Sequence, residues 1–116
     1  MYVLIHRLTD MLNSFHSSSS QGEGQVSGTI STDVIAIGSL AVAAQSFGAV
    51  SYESNDFNDA PNDGLIGLAF GSIAQSKKPT FFENLIKSEK VAAPLFSVHL
   101  TRNQASGSEV SWVSFK

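Results

Sequence analysis

Two groups of residues in this 116-residue chain have types and spacings that could do chemistry. One is the acidic group Asp56, Asp59 and Asp63, because two carboxylates held close together can share a proton and act as acid and base. The other is QGEGQVSG, residues 21–28, because paired glycines can cradle a phosphate or form the turn of a mobile hairpin. The acids lie among Asn and Ser residues with a proline near the end, a composition typical of loops. We therefore expect solvated loop acids and not a catalytic pair.

The glycine stretch does not fit a phosphate-binding loop. Such a loop follows a strand, opens a helix and usually carries a lysine. Here a strand pattern follows, the stretch has no lysine, and Glu23 would repel a phosphate. Two interpretations remain from the residues alone, a polar linker and the tip of a hairpin.

Composition predicts one globular domain and excludes several classes of partner. The chain is 42% hydrophobic and 15% charged, with a net charge of −3 and no cluster of basic residues. That balance argues against a nucleic-acid surface and against an anionic membrane surface. No apolar run approaches the roughly 20 residues of a membrane helix, and the opening MYVLIHRL is too short for a signal peptide. With no cysteine and three scattered histidines, we expect no metal and no cofactor.

The hydrophobic pattern predicts mainly antiparallel β-structure with one clear helix. We expect an apolar strand face at Val26, Ile30 and Val34, and a helix cap in which Thr80 pairs with Glu83. We expect that helix to turn Phe82, Leu85 and Ile86 toward the core. The predicted elements are a helix in residues 1–16, strands from residues 26 and 40 joined by a turn at 37–40, a loop at 51–63, a buried strand at 63–70 (DGLIGLAF), a helix in 79–90, and strands in 94–100 and 108–115.

Four segments, in the order of the family, resemble the first lobe of pepsin-like aspartic proteases, nearest to the fungal type. QGEGQVSG is similar to the flap, whose typical form is Tyr-Gly-Thr-Gly-Ser-Val-Ser-Gly. TDVIAIGSLAVAAQSFGAV resembles the strand pair after the flap, and DGLIGLAF resembles the Asp-Gly-Ile-Leu-Gly-Leu-Ala-Tyr segment. PTFFENLIKSEKVAAPLFSVHLTRN resembles the helix and strand that follow. The resemblance implies an all-β pepsin-like lobe fragment at residues 21–110, with a divergent segment at 1–20 and a divergent tail at 111–116.

The resemblance also implies a set of substrate-binding positions. Gln21 stands where the family has a flap tyrosine, and Glu23 stands where it usually has a threonine. Asp63 matches an aspartate with a structural role. The implied positions at the flap and pocket are Gln21, Gly22, Glu23, Gly24, Phe57 and Leu65.

The mechanism implied by the resemblance is missing its central residues. These proteases hydrolyse peptides with a water held between two aspartates, each from an Asp-Thr-Gly or Asp-Ser-Gly turn. Neither triplet occurs in this sequence, so we expect no catalytic residue and an inactive fragment or variant of an aspartic endopeptidase. The alternative is a non-catalytic binding or regulatory protein on the same lobe. The resemblance implies protein or peptide substrates and an extracellular or vacuolar location, and open strand edges predict self-association.

Overall fold

The computed structural model describes residues 14–15, 25–57, 63–74 and 76–113. Antiparallel strands dominate and one α-helix accompanies them, which confirms the predicted all-β class with a short helix. Among the described residues, no helix has the length and apolar character needed to cross a membrane. The elements are β1 (Ser14–Phe15), β2 (Val26–Ile37), β3 (Leu40–Glu53), α1 (Phe81–Lys87), β4 (Phe96–His99) and β5 (Glu109–Trp112), with 3-10 turns at Asn55–Phe57, Gly71–Ile73 and Arg102–Gln104.

The strands form two sheets. β1, β2 and β3 lie in that order in one sheet, and β4 pairs with β5 in the other. The helix predicted for residues 1–16 is wrong at Ser14–Phe15, where the backbone pairs with β2; the rest of that prediction lies outside the described residues. Strand pairing supplies these backbone groups with partners along β2, and this long-range contact overrides the local spacing of apolar residues.

The β2–β3 hairpin turns where the sequence predicts. Gly38 has a φ of 59°, a left-handed conformation that costs glycine no steric strain. The predicted apolar face is wrong at Val34, which is 58% exposed, whereas its neighbour Ile35 is buried. Because α1 and the core cover the face of Ile35, strict alternation along the strand sends Val34 to solvent.

The register between β2 and β3 shifts twice. One shift lies between Asp33 and Ile35, which pair with Gln45 and Val42. The extra residue on β3 is a bulge, and it turns both Val42 and Gln45 toward the core although they are three residues apart. A second shift, between Ser27 and Gly28, lies near the other end of the hairpin.

The helix α1 has the cap that its sequence predicts. The Thr80 side chain accepts a hydrogen bond from the Glu83 amide at 3.2 Å, and Glu83 Oε2 accepts from the Thr80 amide at 2.9 Å. The predicted inner face is wrong at Ile86, which is 38% exposed, and the sequence reading missed Phe81, which is 3% exposed. Leu85, one turn after Phe81, is fully buried, so the inner face is rotated by about one residue.

The core lies where α1 packs against the β2–β3 hairpin. Its buried members are Ile35, Val42, Phe81, Leu85 and Val91. A neighbouring group of aromatic side chains extends this core to the second sheet. It consists of Phe82, Phe96 and Trp112, whose ring centroids lie 4.9 to 5.9 Å apart.

Two further predictions are corrected between the hairpin and α1. The predicted loop at 51–63 starts late, because β3 continues to Glu53 and a 3-10 turn follows at Asn55–Phe57. The predicted buried strand DGLIGLAF is wrong, since residues 63–70 form no strand and Phe70 is 81% exposed. A fully buried strand needs partner strands and two covered faces, and the described residues supply neither to this segment.

Candidate functional site

The flap prediction concerns the connection between β1 and β2. Phe15 pairs with Gly28 and Ser14 pairs with Thr29, so two antiparallel strands enclose residues 16–27 of the chain. The predicted flap residues Gln21, Gly22, Glu23 and Gly24 belong to this connection and lie outside the described residues.

The base of this connection is held to the end of β3 by hydrogen bonds. The Ser54 amide donates to the Gln25 carbonyl at 2.8 Å, and the Gln25 amide donates to Ser54 Oγ at 2.9 Å. Ser54 Oγ in turn donates to Asp56 Oδ2 at 2.8 Å. Asp56 therefore supports the serine that fixes the base of the connection, as expected for a loop acid.

Gly28 is required by the close approach of β3 at the same base. A Cβ on Gly28 would lie 2.0 Å from the Ala49 carbonyl oxygen and 2.9 Å from Val50 Cα. These are backbone atoms of the partner strand, and they cannot move aside as the end of a flexible side chain could. Gly28 also pairs with Phe15, so it joins β1 and β3 to the central strand.

The two predicted pocket residues lie in different surroundings. Phe57 is half-buried, and its amide donates to the Ser54 carbonyl at 3.2 Å, which places its backbone beside the base of the connection. Leu65 is 54% exposed in the irregular segment that replaces the predicted strand. Its neighbour Ile66 packs against the core, so this segment is anchored with one apolar side chain inward and Leu65 outward.

The acids of this group lie in different surroundings in the part of the chain that is described. Asp56 accepts from Ser54, Asp63 is exposed, and Asp59 lies outside the described residues. Within the described ranges, no three His, Cys, Asp or Glu side chains are placed to hold a metal ion.

Glu83 links α1 to the segment that carries Leu65. Besides the helix cap, its Oε1 accepts a hydrogen bond from the Gly71 amide at 3.0 Å. The backbone hydrogen bonds from Thr80 and Gly71 favour the charged form and hold the pKa of Glu83 below its ordinary value. Sequence reasoning found the cap and missed this second bond, because Gly71 lies outside the helix pattern. Lys77 and Lys78 line the same open depression beside Glu83.

Gln45 is a buried polar residue that the sequence reading passed over. Its Nε2 donates to the Pro79 carbonyl at 3.1 Å, and its Oε1 accepts from Asn84 Nδ2 at 2.8 Å. The side chain is 5% exposed, and these bonds join β3 to the segment just before α1 and to α1 itself. A glutamine in a mainly apolar strand sequence is the signal that could have identified it.

Comparisons with known proteins cover most of the chain. A family model described as eukaryotic aspartyl protease matches residues 9–113. Cathepsin E-A of Xenopus laevis is 36% identical over 106 residues, which is 89% of this chain and 27% of that protein. Pepsin A of Gallus gallus is 39% identical over 90 residues, 77% of this chain and 24% of that protein. Cathepsin D of Dictyostelium discoideum is 39% identical over 95 residues, 80% of this chain and 25% of that protein.

These matches agree with the four sequence segments and with the observed β-structure. The chain spans about a quarter of the length of the curated relatives it matches. The expected resemblance to pepsin-like proteases is confirmed at the level of the family, and the relatives named here do not bear on the fungal type. The chain belongs to the eukaryotic aspartyl protease family.

Proposed function

We propose that this chain supplies the flap-bearing part of the first lobe of an aspartic endopeptidase, with Gln21, Gly22, Glu23 and Gly24 at the flap. The observation that carries the proposal is the pairing of β1 with β2, which encloses these four residues in a hairpin connection. Gly28 and the Gln25–Ser54 bonds support it, because they brace the base of that hairpin against β3.

A graft tests the flap assignment. Residues 14–29 would replace the flap hairpin of an active pepsin-like enzyme, with and without Gln21→Tyr. We expect the graft to fold and to lose turnover because the tyrosine that closes over the cleft is missing, and we expect Gln21→Tyr to restore much of it. The matched control carries the same tyrosine outside residues 21–28, in β2, at Thr29→Tyr. Equal activity of all three grafts would contradict the assignment.

We propose that Phe57 and Leu65 lie beside the substrate in the complete lobe. The backbone bond from Phe57 to Ser54 supports the first position, because it ties Phe57 to the flap base. The exposure of Leu65, with Ile66 anchored in the core, supports the second. Protein or peptide chains are the substrates that the family implies for the whole enzyme.

We propose that the 116-residue chain does not hydrolyse peptide bonds by itself. Neither Asp-Thr-Gly nor Asp-Ser-Gly occurs in it, and loop acids without positioning cannot hold and activate the attacking water. The purified chain should leave denatured protein intact between about pH 3 and 5, where paired carboxylates would share a proton. Pepstatin-type inhibitors, which mimic the tetrahedral intermediate, should bind weakly or not at all. Pepstatin-sensitive turnover that Asp56→Asn or Asp63→Asn abolishes would overturn this proposal.

The second candidate is a non-catalytic binding or regulatory protein built on the same lobe. Three strongly exposed apolar side chains within nine residues favour a protein partner: Leu65, Phe70 and Ile73 are 54%, 81% and 69% exposed. The genomic reading frame separates the candidates: an upstream Asp-Thr-Gly makes the chain part of an enzyme, and a complete open frame without one favours the binding protein.

Three finer expectations remain proposals. We propose that the lobe runs from Gln21 to Val110 between divergent ends. The family match is wider and spans residues 9–113. We propose a fungal type for the parent enzyme, on the form of the segments in the sequence. We propose an extracellular or vacuolar location on the basis of family resemblance.

We also propose that the chain associates with copies of itself. In the described part of the chain, β3 has β2 on one side only, and the β4–β5 pair has no third strand. Open strand edges present unpaired backbone donors and acceptors that recruit other strands. A monodisperse monomer in sedimentation measurements would contradict this proposal.

A further inference from the structure

In the described part of the chain, the free side of β3 lacks most of the usual devices that prevent edge pairing. β3 is 14 residues long, and its sequence LAVAAQSFGAVSYE contains no Lys, Arg or Pro. Its one charged residue, Glu53, stands at the last position. Natural edge strands are commonly protected by lysine, by proline, by short length or by bulges. Of these devices only the bulges are present here.

The bulges lie toward the ends of β3 and leave a regular segment between them. Pairing with β2 runs without a shift from Gln45 to Val50, opposite Asp33 to Gly28. Six residues extend about 20 Å, the length of a typical strand, so this segment is long enough to pair on its own.

The regular segment has a glycine near its centre. Gln45 and Phe47 turn toward the core, and Gly48, which follows Phe47, is exposed. No atom lies within 4 Å of the place where a Cβ on Gly48 would stand. A second strand can therefore approach the edge at Gly48 without meeting a side chain there.

We propose that a second copy of this chain pairs antiparallel along the free edge of β3, with the contact confined to residues 45–50. An antiparallel pair of identical strands is related by a two-fold axis, so each copy offers the other the same row of donors and acceptors. A net charge of only −3 gives little repulsion between the copies. This inference rests on the proposed self-association and is independent of the proposed lack of peptidase activity.

The test is a comparison of two lysine substitutions in the full chain by sedimentation equilibrium over a wide range of concentrations. Gly48→Lys places an ammonium near the centre of the contact, so two like charges meet across the two-fold axis. Gly67→Lys makes the same change outside β3, at a position where an added Cβ would also meet no atom within 4 Å. Far-ultraviolet circular dichroism confirms that both variants keep the fold.

We expect a concentration-dependent dimer that Gly48→Lys weakens by about tenfold or more and that Gly67→Lys leaves unchanged. A dimer that both variants weaken, that neither weakens, or that Gly67→Lys alone weakens overturns the β3 contact while self-association stands. A wild-type chain that stays monomeric at every concentration overturns both the contact and the self-association.

Discussion

Substitution of Gly28 by alanine should destabilise the chain far more than the same substitution at Gly48. Gly28 lies in β2 and Gly48 lies in β3, and both belong to the paired part of the hairpin. At Gly28 the added Cβ would stand 2.0 Å from the Ala49 carbonyl oxygen and 2.8 Å from its carbon, whereas at Gly48 it would meet no atom within 4 Å. The pair therefore compares a blocked position with an open one under the same change of side chain.

The magnitude follows from how far the strands must separate. An ordinary contact needs about 3.5 Å, so β3 must withdraw by more than an ångström, and overpacking of this kind costs about 1–3 kcal/mol. Weakening one backbone hydrogen bond of the β2–β3 ladder near this position adds about 1 kcal/mol. Gly48→Ala should instead raise the unfolding free energy by about 0.4–1 kcal/mol through the unfolded state. We expect the two variants to differ by about 3–4 kcal/mol.

Urea unfolding followed by the fluorescence of Trp112, the only tryptophan, measures this difference. Trp112 packs against Phe82 of α1, with a distance of 5.9 Å between the ring centroids, so its emission reports the packing of α1 against the second sheet. With an m value of about 1–3 kcal/mol per molar urea, the midpoints should differ by about 2 M. A Gly28→Ala variant with the midpoint of Gly48→Ala would refute the close approach of β3 at the flap base.

Three further predictions concern the bonds around α1. Gln45→Leu should lower the unfolding free energy by about 2 kcal/mol, because it leaves the Asn84 amide without its partner. The double variant Gln45→Leu with Asn84→Leu should recover part of that loss. Additive losses in a urea double-mutant cycle would contradict the pairing. Thr80→Ala should lower the thermal midpoint, because it removes about 1 kcal/mol of helix capping; an unchanged midpoint would contradict the cap. Because its pKa is lowered on folding, Glu83 contributes stability that is complete above its unfolded pKa of 4.5 and is lost as pH falls through the lower folded value. Glu83→Gln should therefore flatten the acid side of the stability profile, and an unchanged slope below pH 4.5 would contradict the bonds from Thr80 and Gly71.

Local chemistry allowed the hairpin turn and the helix to be predicted from the sequence. Gly38 occupies the turn, and Thr80 with Glu83 forms the cap, because both devices depend on residues within a few positions of each other. The burial of side chains was predicted less well. Val34 and Ile86 point outward because the positions of other elements decide which face is covered, and a period of 2 or 3.6 residues does not fix that face.

The strand predicted at DGLIGLAF shows the same limit on a larger scale. A short apolar run bounded by glycines is compatible with a buried strand only where neighbouring strands complete its hydrogen bonds. In the described residues this segment is held by Ile66 in the core and by the bond from Gly71 to Glu83, and Leu65 and Phe70 remain open. Its apolar composition thus corresponds to exposed apolar side chains and not to a strand within this part of the chain.

The base of the proposed flap illustrates why a site scaffold and a catalytic centre are separable in this fold. Gly28 and the Gln25–Ser54 pair require only a close strand crossing and a few backbone hydrogen bonds, all of which residues 25–57 supply. Peptide hydrolysis by the aspartic protease mechanism requires two carboxylates that share a proton, and the Asp-Thr-Gly and Asp-Ser-Gly turns that provide them do not occur in the sequence. Mutations at the flap base should therefore change stability without reference to any activity, so unfolding measurements test the scaffold and turnover measurements test the chemistry independently.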